Sequence, residues 1–230
     1  CGLWDGNILI YNYSNNTSRE IKAGFDKSPV FAFNRISDNS IIAGSFGEGA
    51  VVLNTKTLEV DSSIGKLLPG FQINAIEKDT KNNVWFATET GVVRYNIGTG
   101  KIETFKSLSK KENGMPYDEN VSDITTDKKG NIWAATRFGL CWYNTKKNKF
   151  ELITNLKELS GKWITDIISD ARGDLWLNIN NNNIAWIKSN LKDVNIYHVN
   201  SGNRLDVFSS SGFFNFNNSN IYLGGKNGII

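Results

Sequence analysis

The chain has 230 residues, with 26 Lys and Arg against 23 Asp and Glu for a net charge of +3. A balance this close to neutral, with its basic residues scattered, argues against a nucleic-acid-binding face, and no apolar run reaches the ~18 residues of a membrane span. Aromatic residues at 12% with only three prolines suit a β-rich chain of many short strands, long enough to bury a large core.

The first 22 residues read as the tail of one sheet: Leu3 and Trp4 end a second strand, Ile8 to Asn12 form a third, and Arg19 to Ile21 form a fourth after an Asn15-Asn16-Thr17 turn. A full unit follows, from Val30 through Ser37-Asp38-Asn39, Ile41 to Gly44 and Val51 to Asn54, ending at Val60. A second runs through Ala75-Ile76, Asp79, Val84 to Thr88, Gly91 to Asn96 and Phe105. A third, Asn120 to Phe150, is the clearest: an apolar run to Asp127, a Lys-Lys-Gly-Asn turn, Ile132 to Thr136, then Gly139-Leu140 and Trp142-Tyr143-Asn144. The fourth passes through Ile164, Asp170 to Asp174, Leu175-Trp176-Leu177 and Ile184 to Ile187 to Ile196-Tyr197. Strands near Phe213 to Phe216, Ile221 to Gly224 and Gly228 to Ile230 begin another unit, so both ends fall within a unit. That reads as a piece of a longer chain, or as a ring closed by pairing its two ends.

Aligning the glycine that opens each third strand gives Gly6, Gly49, Gly91, Gly139, an equivalent at Asn183, and Gly228, at intervals of 43, 42, 48, 44 and 45 residues. This is the period of a propeller blade. The expected fold is therefore all-β, a β-propeller of four-stranded antiparallel blades, with five to six blades here out of a seven-bladed ring. Its partial blade is 1–22, its full blades are about 23–64, 65–106, 107–155 and 156–200, and its last partial blade is 201–230. Apolar residues three apart, such as Ile73 with Ile76 or Val121 with Ile124, imitate a helix, but β-branched content and frequent turn signals favour strands. Helix is expected only as a minor component.

The aspartates before the first turns (Asp38, Asp79, Asp127, Asp170) are expected to be structural, each accepting a backbone N–H two residues on. Trp85, Trp133 and Trp176 share one repeat position, with Ile42 and Tyr222 as equivalents, and should pack between neighbouring blades. The lysine pairs 110–111, 128–129 and 146–147 fall in turns, as solvated charges do. Cys1 and Cys141 lack disulfide, zinc-ligand and redox spacing, so no metal or cofactor is expected. No signal-peptide pattern opens the sequence.

These elements together carry a resemblance. A Leu-Pro or Met-Pro approach, an apolar run to Asp, then Gly-Asn-Ile-Trp-x-x-Thr, Gly-Leu and Tyr-Asn resembles the two-component-regulator propeller repeat. It stands here as Leu68-Pro69 to Asp79 with Asn83 to Asn96, and as Asn113-Gly114-Met115-Pro116 to Asp127 with Gly130 to Asn144. Ile221 to Gly228 looks like the last blade of such a propeller. The resemblance implies a periplasmic sensor region of the hybrid two-component histidine kinases of gut Bacteroidetes. Such a receptor detects glycan-derived oligosaccharides, usually as a dimer, and signals across the inner membrane to a kinase. The kinase, the membrane anchor and the DNA-binding output lie outside this sequence. The segment itself is expected to be non-catalytic and to need no cofactor.

A sugar site wants aromatic platforms for apolar ring faces and amides or charges for hydroxyls. Phe46, Glu89, Arg137, Phe138 and Asn181 fall in loops joining second and third strands, while Tyr117, Lys162, Trp163 and Arg204 lie in or beside connections between blades. Together they are the candidate ligand-binding face, with Arg137 and Lys162 suited to an anionic glycan. Two rival readings remain. A propeller glycosidase or lyase needs placed carboxylates or a His or Tyr base, yet most acids here lie in turns or outer strands, Glu89 stands alone among the loop candidates, and the single His198 lies beside an outer strand. An interaction scaffold resembling WD-repeat propellers has only the Trp4-Asp5 dipeptide in its favour, displaced from the strand end.

Overall fold

The computed structural model describes residues 1–68, 71–106, 119–180, 183–198, 208–216, 220–225 and 228–229. Among the described residues its strands pair only with sequence neighbours, which is what a repeated hairpin pattern dictates. Sheet I holds Asn7–Asn12 and Thr17–Lys22. Sheet II holds Val30–Ser37, Ser40–Ser45, Ala50–Asn54 and Val60–Asp61. Sheet III holds Ile73–Lys78, Asn83–Thr88, Gly91–Asn96 and Ile102–Phe105. Sheet IV holds Val121–Thr126, Ile132–Thr136, Gly139–Asn144 and Lys149–Leu152. Sheet V holds Ile164–Ser169, Leu175–Ile179, Asn183–Ile187 and Val194–His198. Sheet VI holds Phe208–Phe216, Asn220–Gly225 and Gly228–Ile229. The four-stranded sheets are antiparallel meanders, the blades of a β-propeller. Two compact units divide the chain, Cys1–Thr104 and Phe105–Ile230.

Every full blade carries a β-bulge in its first strand, between Val30 and Ala32, Ile73 and Ala75, Val121 and Asp123, and Ile164 and Asp166. A bulge adds one residue on one side of the ladder, so residues three apart can face the same way. That is why Ile73 with Ile76, and Val121 with Ile124, imitate helical spacing while lying in strands. The helices present are short and sit in the connections, Ser63–Leu67 and a 3₁₀ turn at Lys157–Leu159.

Within the first unit, alternate residues of the second strand of sheet II serve two cores. Ala43 joins Ile8, Ile21, Val30 and Leu53, whereas Ile42 joins Ile64, Leu68, Ile73, Ile76 and Phe86. In the second unit Trp133 and Ala135 of sheet IV pack with Ile164, Ile167, Leu175, Leu177 and Ile179 of sheet V. Trp133 thus lies between two blades, as its repeat position leads one to expect. Each such side chain contributes about 1.5–3 kcal/mol by leaving water.

The glycines that precede third strands answer a steric demand. Gly49 sits at φ +75°, and a Cβ there would come within 2.3 Å of the Leu68 carbonyl oxygen; at Gly6, φ +86°, the obstacle is the Phe25 carbonyl oxygen at 2.6 Å. The connection to the next blade crosses directly over these positions. In sheet V the correspondence shifts: Asn183 opens the third strand, but the left-handed residue is Asn180, at φ +53°. Leu3 and Trp4, expected as strand, form a turn closed by the Gly2–Ile8 bridge and by the Leu3 N–H donating to the Asn7 carbonyl.

Candidate functional site

The two ends of a blade are built differently. At the turn between first and second strands, Asp79 Oδ1 accepts the N–H groups of Lys81 and Asn83 at 2.8 and 2.9 Å, while its Oδ2 accepts from Asn83 Nδ2 and Trp85 Nε1 at 2.7 and 2.9 Å. Asp127 makes the same four bonds to Lys129, Asn131 and Trp133. Asp170 repeats the backbone pair with Arg172 and Asp174 and reaches Trp176 Nε1 at 3.4 Å. Burial alone would raise the carboxyls of Asp79 and Asp170, but their donors, led by Asn83 and Trp85 for the first and Arg172 for the second, hold both below the ordinary 3.8. These aspartates are structural, as expected, and the indole N–H is the partner the sequence did not disclose. Asp38 departs from the pattern: its carbonyl and carboxylate accept from Arg35, and Ser37 Oγ receives the Asn39 N–H in its turn.

The opposite end, between second and third strands, has a constant frame. Ser45, Thr88 and Thr136 each donate from the side-chain hydroxyl to the carbonyl of the glycine at the start of the third strand, Gly49, Gly91 and Gly139, at 3.0, 2.9 and 2.7 Å. The residue immediately after that clamp changes from blade to blade: Phe46, Glu89, Arg137. Trp4 occupies the matching place in the first residues, two before Gly6 as Glu89 is two before Gly91.

In the first unit these positions converge on one surface. Trp4, Phe31 and Phe46 are 79, 49 and 48% exposed, and their rings meet edge to face, Trp4 to Phe31 at 5.6 Å and Phe31 to Phe46 at 5.7 Å. Phe46 bridges to Gln72, whose N–H donates to Glu89 Oε2 at 2.8 Å and whose side-chain amide donates to Asn74 at 2.8 Å. Phe46 and Glu89 are therefore brought together through Gln72. Trp4, Phe31 and Gln72 were missed in the sequence because an exposed aromatic and a core aromatic are written with the same letters.

In the second unit Arg137 lies over the Trp163 ring, 5.2 Å from its centroid, and Trp163 Nε1 donates to Ser122 Oγ at 3.3 Å. Phe138 is half-buried, its carbonyl accepting the Gly161 N–H at 3.1 Å, and Lys162 is exposed next to Trp163. Tyr117, Asn181 and Arg204 lie outside the described residues, as do Pro69, Met115, Pro116 and the lysines 110–111.

Asp123 and Asp166, at equivalent bulge positions of sheets IV and V, form a buried hydrogen-bonded carboxylate pair, away from the loop positions where the sequence would place catalytic acids. Burial, and then the neighbouring Asp166 charge, push Asp123 well above the ordinary carboxylate range, so the pair holds a proton where isolated carboxylates have lost theirs. Asp123 also accepts the Ile124 and Ile167 N–H groups at 2.8 Å each, which ties sheet IV to sheet V. Sequence repetition was the available signal, since Val-Ser-Asp-Ile and Ile-Thr-Asp-Ile occupy the same register. Among the described residues no group of three or more His, Cys, Asp or Glu is placed to hold a metal ion. Cys141 is buried, and burial pushes its thiol up to about 12, so it is an inert core side chain.

Comparison with known proteins bears on what these blades belong to. No protein-family model matches the chain. A histidine kinase P4 of Formosa agariphila is 27% identical over 99% of this chain and 18% of its own length. The crystal structure of the extracellular domain of a putative hybrid two-component system from B. thetaiotaomicron superposes with a TM-score of 0.75 at 18% identity, over 98% of this chain and 30% of that one. The chain has the fold of a two-component extracellular domain. A second such domain from the same organism gives 0.71 at 19% identity, with the same coverage. Virginiamycin B lyase from Staphylococcus aureus gives 0.72 at 15% identity, over 98% of this chain and 72% of the lyase. The likeness to two-component systems first seen in the repeat motifs is thus met again in sequence and in fold, and this chain spans under a third of the two-component proteins it resembles.

Proposed function

We propose that this chain is a ligand-sensing module of a hybrid two-component receptor, lying outside the cytoplasm in the periplasm and detecting glycan-derived oligosaccharides for a histidine kinase elsewhere in the receptor. The observation that carries the reading is the contrast between the two ends of a blade. In sheets III and IV one turn repeats the same Asp–Trp lock, while the loop at the other end, clamped by a hydroxyl in sheets II, III and IV, presents Phe46, Glu89 or Arg137 from one fixed frame. A scaffold held constant beneath varied side chains is the arrangement of a recognition surface. Likeness to extracellular domains of two-component systems supports the sensing role, and dimerisation of the receptor would carry the signal. Calorimetric titration of the full chain with neutral and anionic oligosaccharides tests this reading. Saturable heat with at least one class is expected; the absence of binding to every class would overturn it.

A catalytic reading draws on the fold shared with a lyase and on the Asp123–Asp166 pair. Both Asp123 oxygens already accept backbone N–H groups, one of them from sheet V, and the two carboxyls bond each other, which favours a role in joining sheets. Turnover of a saccharide that disappears in Glu89→Gln or Asp123→Asn would displace the sensor reading in favour of an enzyme.

A further inference from the structure

The surface formed by Trp4, Phe31 and Phe46 differs from ordinary exposed apolar residues, which occur singly. Three aromatic rings are contiguous, each at least 48% exposed, and successive rings stand at 88° and 81° to each other. Their backbones are fixed from several directions: the Leu3 carbonyl accepts the Val30 N–H, the Phe46 N–H donates to the Pro29 carbonyl, and Ser28 Oγ donates to the Phe46 carbonyl at 2.7 Å. Such a surface loses little conformational freedom on meeting a ligand. Alternately perpendicular rings make a faceted strip and not a flat apolar plate, so each ring offers a face or an edge of about the size of one sugar ring.

The margin is polar and acidic. Glu89 Oε1 and Gln72 Oε1 take part in no hydrogen bond among the described residues, while Glu89 Oε2 holds the Gln72 N–H. Glu48, two residues beyond Phe46, accepts the Asp26 N–H at 3.0 Å. Acceptors beside aromatic faces suit hydroxyl donors beside apolar C–H faces, and carboxylates repel an anion.

We infer that Trp4, Phe31 and Phe46, flanked by Gln72 and Glu89, form a stacking strip for an uncharged oligosaccharide. The inference rests on the sensor reading above and specifies the surface and ligand charge that it leaves open. The Phe46 and Phe31 rings carry the C–H faces of adjacent sugar units, and the Glu89 and Gln72 oxygens accept their hydroxyls.

The test is titration calorimetry of the full chain with neutral tetrasaccharides of gluco, galacto and manno configuration and with tetragalacturonate, for the wild type and for Phe31→Ala, Phe46→Ala, Phe46→Tyr and Glu89→Gln. Thermal melts of all variants establish that they fold, as is expected for changes at half-exposed positions. At least one neutral tetrasaccharide binds more tightly than tetragalacturonate; Phe31→Ala and Phe46→Ala weaken it by about tenfold or more, a loss of one stacking face, and Phe46→Tyr retains it. Saccharide binding that stays within about twofold in both Ala variants would overturn the strip and leave the sensor reading standing. Preference for tetragalacturonate would likewise overturn it. A change of oligomeric state in the Ala variants without a change in affinity would make the strip an interface between copies. Failure of every saccharide to bind the wild type would overturn both readings together.

Discussion

The two turns of one blade are close in sequence and opposite in design. In sheet III the Asp79 turn spends every carboxylate lone pair on its own blade, with four hydrogen bonds closing on Lys81, Asn83 and Trp85. At the other end Glu89 gives one oxygen to Gln72 and keeps the second. The same chemical group is structural where donors converge on it and available where they do not. The difference teaches that in this repeat a side chain's role follows from how many of its bonds the blade itself consumes. A carboxylate with all acceptors used stabilises; an equally half-buried one with an acceptor left over can recognise.

The contrast can be broken most severely at the tryptophan. Trp133 is 3% exposed, caps Asp127 through its indole N–H, and packs against Ile164, Leu175 and Leu177 of the next sheet. Trp133→Ala is expected to destabilise the second unit by about 3–5 kcal/mol, as truncation of a large buried aromatic does, and chemical denaturation followed by circular dichroism measures it. A loss under about 1 kcal/mol would mean that Trp133 is not the joint between sheets IV and V. Next in size is Asp79→Asn, which keeps the acceptor for the backbone N–H groups but turns an amide donor toward Asn83 Nδ2 and Trp85 Nε1. Two donors left facing a donor cost about 2–3 kcal/mol, again read from the denaturation midpoint.

Much of the locking end was legible in the sequence. An Asp followed by Gly or Asn and then an aromatic, repeated at a blade's period, determines the turn, the strand and the buried Trp together, because each depends on local chemistry. What stayed illegible depends on contacts between repeats. Asp123 and Asp166 are 43 residues apart and meet only because sheets IV and V place equivalent bulges side by side. The helix Ser63–Leu67 is too short to show a 3.6-residue period. Trp4 and Phe31 differ from core aromatics only in exposure, which no single-sequence pattern records, and the bulges that imitate helical spacing arise from ladder register.

Acid pairing gives the next test, with opposite signs at two places. Asp79 and Asp170 titrate below 3.8, so their contribution is present above that pH and fades as pH falls through the folded value. Asp123 is raised above 3.8, so between that pH and its folded value the native chain holds a proton the unfolded chain has released. Its contribution is therefore full below 3.8 and declines as pH rises. Denaturation midpoints compared between wild type and Asp123→Asn from acid to neutral pH should show the variant gaining on the wild type as pH rises. Parallel profiles would mean that the two carboxylates do not share a proton.

The smallest effect sharpens the contrast most. Glu89→Gln makes the same carboxylate-to-amide change as Asp79→Asn, in the same sheet, at the other turn. Its amide oxygen still accepts the Gln72 N–H, and no second donor is aimed at the oxygen that becomes a nitrogen. Stability should therefore move by no more than about 0.5 kcal/mol, several times less than at Asp79, while saccharide affinity falls. Equal destabilisation at both positions would erase the distinction between a turn that consumes its carboxylate and a loop that offers one, and with it the argument that the variable loop is the surface that recognises.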